Sequence, residues 1–128
     1  MMKRVFKTRH FKRWMRKTEL TDVALCGAVA EMAQGLIDAE LGGGVVKKRI
    51  GTAGRGRSSG VRTLVATNKG NRWFFVFGFE KNDRANISSD ELEALQTIAA
   101  ELLALSGREL GQAVEDTTLE EICHEANE

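Results

Sequence analysis

Between the turn signal Asn68-Lys69-Gly70-Asn71 and Gly78 the chain reads Arg72-Trp73-Phe74-Phe75-Val76-Phe77, with no polar side chain after Arg72. Successive side chains on a strand point to opposite faces, so an unbroken apolar run of aromatic and β-branched residues predicts a central strand buried on both faces. Val61 to Thr67 lies just before the turn, which makes the pair a hairpin. Val45 to Ile50 supplies a third strand, with Val46 and Ile50 on one face and Lys47 and Arg49 on the other.

Helical signals flank these strands. Arg4 to Thr8 reads as a short first strand or as the lead into a helix, and from His10 to Lys17 the residues Phe11, Trp14 and Met15 share a helical face. Thr21 is a good N-cap for a second helix, whose apolar stripe runs from Val23 to Leu36 and which Gly42-Gly43-Gly44 is expected to end. Ser88-Ser89-Asp90-Glu91 has the form of a capping box. The helix it starts should reach about Leu105 and stop at Gly107. Beyond it the chain is acidic and weakly periodic, which predicts short helices or fraying. The reading is an α+β fold with two N-terminal helices, a curved antiparallel sheet of three to four strands and a C-terminal helix, the helices packing on one face of the sheet. One domain over residues 1–107 and an acidic tail over 108–128 are expected.

Charge is segregated along the chain although the net charge is only +1. Residues 1–17 hold eight Lys or Arg and no acid, residues 45–84 hold ten against two acids, and residues 85–128 hold eleven acids and one Arg. Such blocks point to an anion-binding surface beside acidic elements. No apolar stretch approaches the roughly 18 residues of a membrane span, and the basic N-terminus lacks the apolar core of a secretory signal. Cys26 and Cys123 sit in no metal-like spacing, so a reduced, cytoplasmic protein with inert thiols is expected.

The basic middle segment carries the chemistry. Lys47 and Arg49 share a strand face, Arg55 and Arg57 lie on the glycine-rich loop 51–60, Arg62 opens the next strand, and Lys81 and Arg84 follow the third. Clustered Arg and Lys suit a phosphodiester and the more negative phosphorane it passes through. RNA brings its own nucleophile, the 2′-hydroxyl, so alignment and charge stabilisation alone permit cleavage without a metal or other cofactor. Gly54-Arg55-Gly56-Arg57 lacks the spacing of nucleotide-binding glycine motifs, and no helix follows it. His10 and His124 lie in blocks of opposite charge and do not read as a catalytic pair, Ser58 and Ser59 have no triad partner nearby, and Trp14 and Trp73 read as packing residues.

The stretches Gly42 to Ile50, Gly54 to Arg62 and Phe77 to Ile87, followed by an acidic helix, resemble the HigB branch of the RelE/ParE toxin superfamily over roughly residues 3 to 106. The resemblance implies a RelE-like fold and the toxin of a type II toxin–antitoxin system. It further implies a metal-independent endoribonuclease that cuts mRNA in the 30S decoding site of the ribosome and is blocked by a cognate antitoxin. Two basic residues of RelE on the strand before its loop fall on Lys47 and Arg49, and the arginine ending the loop falls on Arg62. A further RelE arginine falls on Asn82, beside Lys81, and the stacking tyrosine falls near Ser88. Arg62 would then stabilise the scissile phosphate, Lys47 and Arg49 would orient the message or move protons, and Lys81 would act as an accessory acid or clamp. Lys48, Arg55, Arg57, Asn82 and Arg84 would hold RNA phosphates. Two other readings carry different expectations: a ParE-like inhibitor of DNA gyrase, and a nucleic-acid-binding module without catalysis. An acidic tail folded over the basic cleft is also expected.

Overall fold

A computed structural model describes residues 3–51 and 60–124. Its elements are β1 (Arg4–Thr8), α1 (Arg9–Met15), α2 (Asp22–Ala33), β2 (Ala39–Gly42), β3 (Val45–Ile50), β4 (Val61–Thr67), β5 (Arg72–Glu80), α3 (Ser89–Leu103), α4 (Gly107–Glu115) and β6 (Leu119–Ile122). The described strands form one sheet in the order β2-β3-β4-β5-β1-β6. The sheet is larger than the three or four strands expected, and it is mixed, because β1 lies parallel to β5 while the other neighbours are antiparallel.

Helices cover both faces of the sheet, not one. Val5, Val46, Ile50, Val61, Val65, Trp73 and Phe75 pack under α1 and α2 with Phe11, Leu25, Val29 and Met32. The alternate residues Phe6, Val45, Leu64, Ala66, Phe74 and Val76 pack under α3 and α4 with Leu95, Ala99 and Leu110. The apolar run of β5 is thereby buried from both sides, since a strand with apolar residues at every position needs a hydrophobic layer on each.

Two helix boundaries differ from expectation. α2 stops at Ala33, where Gln34 caps it and Gly35 takes a φ of 96°, and Leu36 is left 59 % exposed. A left-handed glycine ends the helix early and leaves residues 39–42 to form β2. At the other end, α3 finishes at Leu103, and Gly107 starts a new helix, with Ser106 and Glu109 forming a second capping box like that of Ser88 and Glu91. Residues 107–122 are therefore not a tail. α4 buries Leu110, and β6 pairs with β1 in the register Val5↔Ile122 and Thr8↔Leu119.

Cys26 and Cys123 are joined in a disulfide across a sequence separation of 97, with their Cα atoms 5.5 Å apart. This overturns the expectation of two inert thiols. The pairing of β6 with β1 carries Cys123 to the face covered by α2, a proximity that neither cysteine's local sequence could reveal.

Candidate nucleic-acid interface

β3, β4 and β5 present one rung of side chains in which Arg49 pairs with Arg62 and Arg62 with Phe79. Directly paired residues on adjacent strands hold their Cβ atoms about 5 Å apart on one face. Arg49 and Lys47 have the parity of Val45, and Arg62 has that of Leu64 and Ala66, so all three cations face the α3 side. Arg49 is exposed there, while Lys47 and Arg62 are half-buried. Gln96 and Leu103 of α3 pack near Gly43 and Gly44, toward the β2–β3 turn, and the opposite end of the strands carries Arg49 and Arg62.

A β-bulge completes the rung. Leu64 pairs with Phe77 but Val65 with Phe75, so Val76 is the additional residue on β5. A bulge shifts side-chain parity by one position. Phe74 and Val76 face α3, and after the bulge Phe77 does so again with Phe79, while Gly78 turns to the α1 side. A Cβ on Gly78 would sit 2.3 Å from Cζ3 of Trp14, so the indole occupies the space that only glycine leaves open.

Arg84 places its guanidinium over the Phe79 ring at 5.7 Å. Its Nε donates to the Asn86 carbonyl at 3.1 Å, and both Nη atoms engage the carboxylate of Glu91 in the first turn of α3. The Arg84 hydrogen bonds and a second from the Ser88 backbone N–H hold the Glu91 carboxyl down to about 2. Arg84 thus supports the floor of the site, and its fork is already occupied, contrary to the expected phosphate contact. Lys48, expected to hold a phosphate, lies on the other face of the sheet. It points to the α2 face, 7 % exposed, with Nζ donating to the Leu36 carbonyl at 2.9 Å and lying 2.8 Å from Glu31 Oε1.

Lys81 and Asn82 are exposed in the turn after β5, at the same end of the sheet as Arg62, since Glu80 pairs with Val61. Arg55 and Arg57 lie outside the described residues. His10 is exposed and stacks on Phe77, with ring centroids 5.5 Å apart and planes 5° from parallel, a contact that sequence reading missed because the two residues meet only across the fold. Among the described residues no group of three or more His, Cys, Asp or Glu side chains converges as metal ligands would.

Three of the N-terminal cations, Arg4, Lys7 and Lys12, are engaged elsewhere. Arg4 makes two hydrogen bonds to Glu121, each 2.9 Å, and Lys7, buried, lies 2.8 Å from Asp22 and 3.5 Å from Glu120, which also meets Lys12 at 3.1 Å. Burial opposes ionisation of Glu120, yet the Lys12 hydrogen bond and the Lys7 charge outweigh it and lower its pKa. Among the described residues, Glu120 and Glu121 of β6 therefore pair with Arg4, Lys7 and Lys12, and β5 and β1 lie between β6 and the strands of the Arg49–Arg62 rung.

The sequence profile of the RelE toxin of the RelE / RelB toxin-antitoxin system matches residues 3–122. The chain belongs to the RelE toxin family. In this RelE-family toxin the matched region runs through α4 and β6 to Ile122, in keeping with the packing of α4 on the sheet and the place of β6 in it. A search of curated protein sequences returns no significant match. No helix among the described residues of the toxin is long and apolar enough to cross a membrane.

Proposed function

We propose that this toxin is a metal-independent endoribonuclease that cuts mRNA on the ribosome, in the 30S decoding site, and so arrests translation in the cytoplasm. The observation that carries the reading is the cross-strand pair Arg49–Arg62, two guanidinium groups on one open sheet face beside Phe79. Like charges directly opposite each other cost stability. Their juxtaposition is explained by a polyanionic ligand that binds between them.

The scissile phosphate rests on Arg62 and Arg49, with Lys47 on the same strand face orienting the message and Lys81 reaching in from the turn. The RNA 2′-hydroxyl gives up its proton as its oxygen attacks phosphorus, the P–O5′ bond breaks, and the 5′-oxygen takes up a proton. The products are a 2′,3′-cyclic phosphate and a 5′-hydroxyl. Arginine forks fixed by the sheet stabilise the added charge of the phosphorane more than that of the ground state, which is what lowers the barrier. A cognate antitoxin with an acidic segment would cover the same rung.

The test is primer extension on cellular mRNA after brief expression. Wild type should give discrete cuts within translated frames, and Arg62→Ala should reduce cutting about 10²- to 10³-fold while leaving the fold intact. Intact messages with broken chromosomal DNA would replace this reading with gyrase poisoning, and full toxicity of Arg62→Ala would remove Arg62 from the site.

A further inference from the structure

Next to the arginine rung lies a surface of a different kind. Phe77 pairs with Leu64, one pleat along from the Phe79–Arg62 pair, which is about 7 Å along the strand. The exposed His10 ring continues Phe77 as a near-parallel stack. Opposite them stand Ala94, Leu95 and Ile98 of α3, and together with Val76 and Thr8 these walls enclose a slot of about 400 Å³. Its lining is almost wholly apolar, and Ile98 is 39 % exposed. Glu91 also borders the slot, but its carboxylate is paired with Arg84.

A nucleotide of single-stranded RNA needs two things from a protein: a flat π surface for the base and fixed cations for the phosphate. His10 and Phe77 offer the first, and Arg49 and Arg62 offer the second one rung away. A partner helix would also find apolar walls here. It would not need two flat rings held parallel, whereas a nucleobase does.

We propose that the slot between the His10–Phe77 stack and α3 receives an unpaired nucleobase of the RNA whose phosphate lies on Arg49 and Arg62. This rests on the RNA-cleaving reading above. The base stacks on the rings, and the stacking fixes the register of the chain over the arginines.

The test uses the full chain and short RNA oligomers with a single 2′-deoxy position that blocks cleavage. One oligomer carries 2-aminopurine, and a second has an abasic site there. Wild type should quench the 2-aminopurine fluorescence and bind the base-bearing oligomer more tightly than the abasic one. His10→Ala, which alters only an exposed side chain, and Phe77→Leu, which keeps apolar bulk, should each weaken binding of the base-bearing oligomer roughly five- to a hundredfold and reduce quenching. Neither should change binding of the abasic oligomer. Arg62→Ala should weaken both oligomers alike. If both ring variants bind as wild type does while Arg62→Ala still loses affinity, the slot assignment fails and the RNA-cleaving reading stands. If wild type binds neither oligomer and cuts no message, both fall. Loss of antitoxin-peptide binding in the ring variants, with RNA binding unchanged, would assign the slot to the protein partner and overturn the proposal.

Discussion

Arg84 and Glu91 form a two-pronged ion pair that ties the turn after β5 to the first turn of α3. Glu91 does double duty, because its Oε1 also accepts the Ser88 backbone N–H at 2.7 Å as half of the capping box. The carboxylate is therefore worth more to the folded chain ionised than protonated.

From this follows a pH dependence. The Glu91 pKa falls from 4.5 in its ordinary state to about 2 in the fold. A depressed carboxylate contributes stability that is fully present above its unfolded value and is lost as pH falls through the folded one. Thermal unfolding followed across that window should show a decline that Glu91→Gln reduces. An unchanged slope in the variant would show that other carboxylates govern acid unfolding. The pair is solvent-accessible, so added salt should shrink the effect.

Lys48 and Arg62 should separate cleanly. Lys48→Ala removes a buried ammonium from Glu31 and from the Leu36 carbonyl. It should cost about 1–3 kcal/mol in urea unfolding, while RNA affinity of the folded protein stays near wild type. A drop in affinity at unchanged stability would return Lys48 to the binding surface.

Gly78→Ala drives a methyl group into the Trp14 indole. Destabilisation of about 1–3 kcal/mol is expected, as for overpacking elsewhere, with a change in tryptophan emission. Trp14→Ala in the same chain should recover part of the loss, because the two positions share one space. Strict additivity would mean that the clash is relieved by some other movement.

The disulfide is open to a chemical count. Without reductant the unfolded chain should show no reactive thiol, and with reductant two. Replacing Cys26 and Cys123 by Ser should lower stability by about 2–4 kcal/mol. Disulfides of cytosolic proteins are usually transient or redox-sensing, so the thiol count in freshly lysed cells also tests the proposed cytoplasmic placement.

What the sequence made legible was local. Alternation in Val45–Ile50 separated Lys47 and Arg49 from the core residues, and the Ser88–Glu91 box marked the start of α3. The same alternation put Lys48 on the core face, yet its positive charge alone suggested a phosphate ligand. The pairings of β1 with β5 and of β6 with β1 left no periodic trace, since each joins segments far apart in the chain. The bulge at Val76 hid in an apolar run where either parity looks the same, and with it went the positions of Phe77 and Phe79 in the site. The early end of α2 turned on Gly35, a single residue inside a stripe that otherwise continues to Leu36.

The strand order has a temporal side. Among the described strands β1 is translated first and stands inside the sheet, whereas its outer neighbour β6 is translated last. Until β6 emerges, Lys7 has Asp22 but not Glu120, Arg4 lacks Glu121, and β1 offers a bare hydrogen-bonding edge. The first strand of the chain is thus enclosed in the sheet only when the last described strand joins it, and the delay is written into the topology.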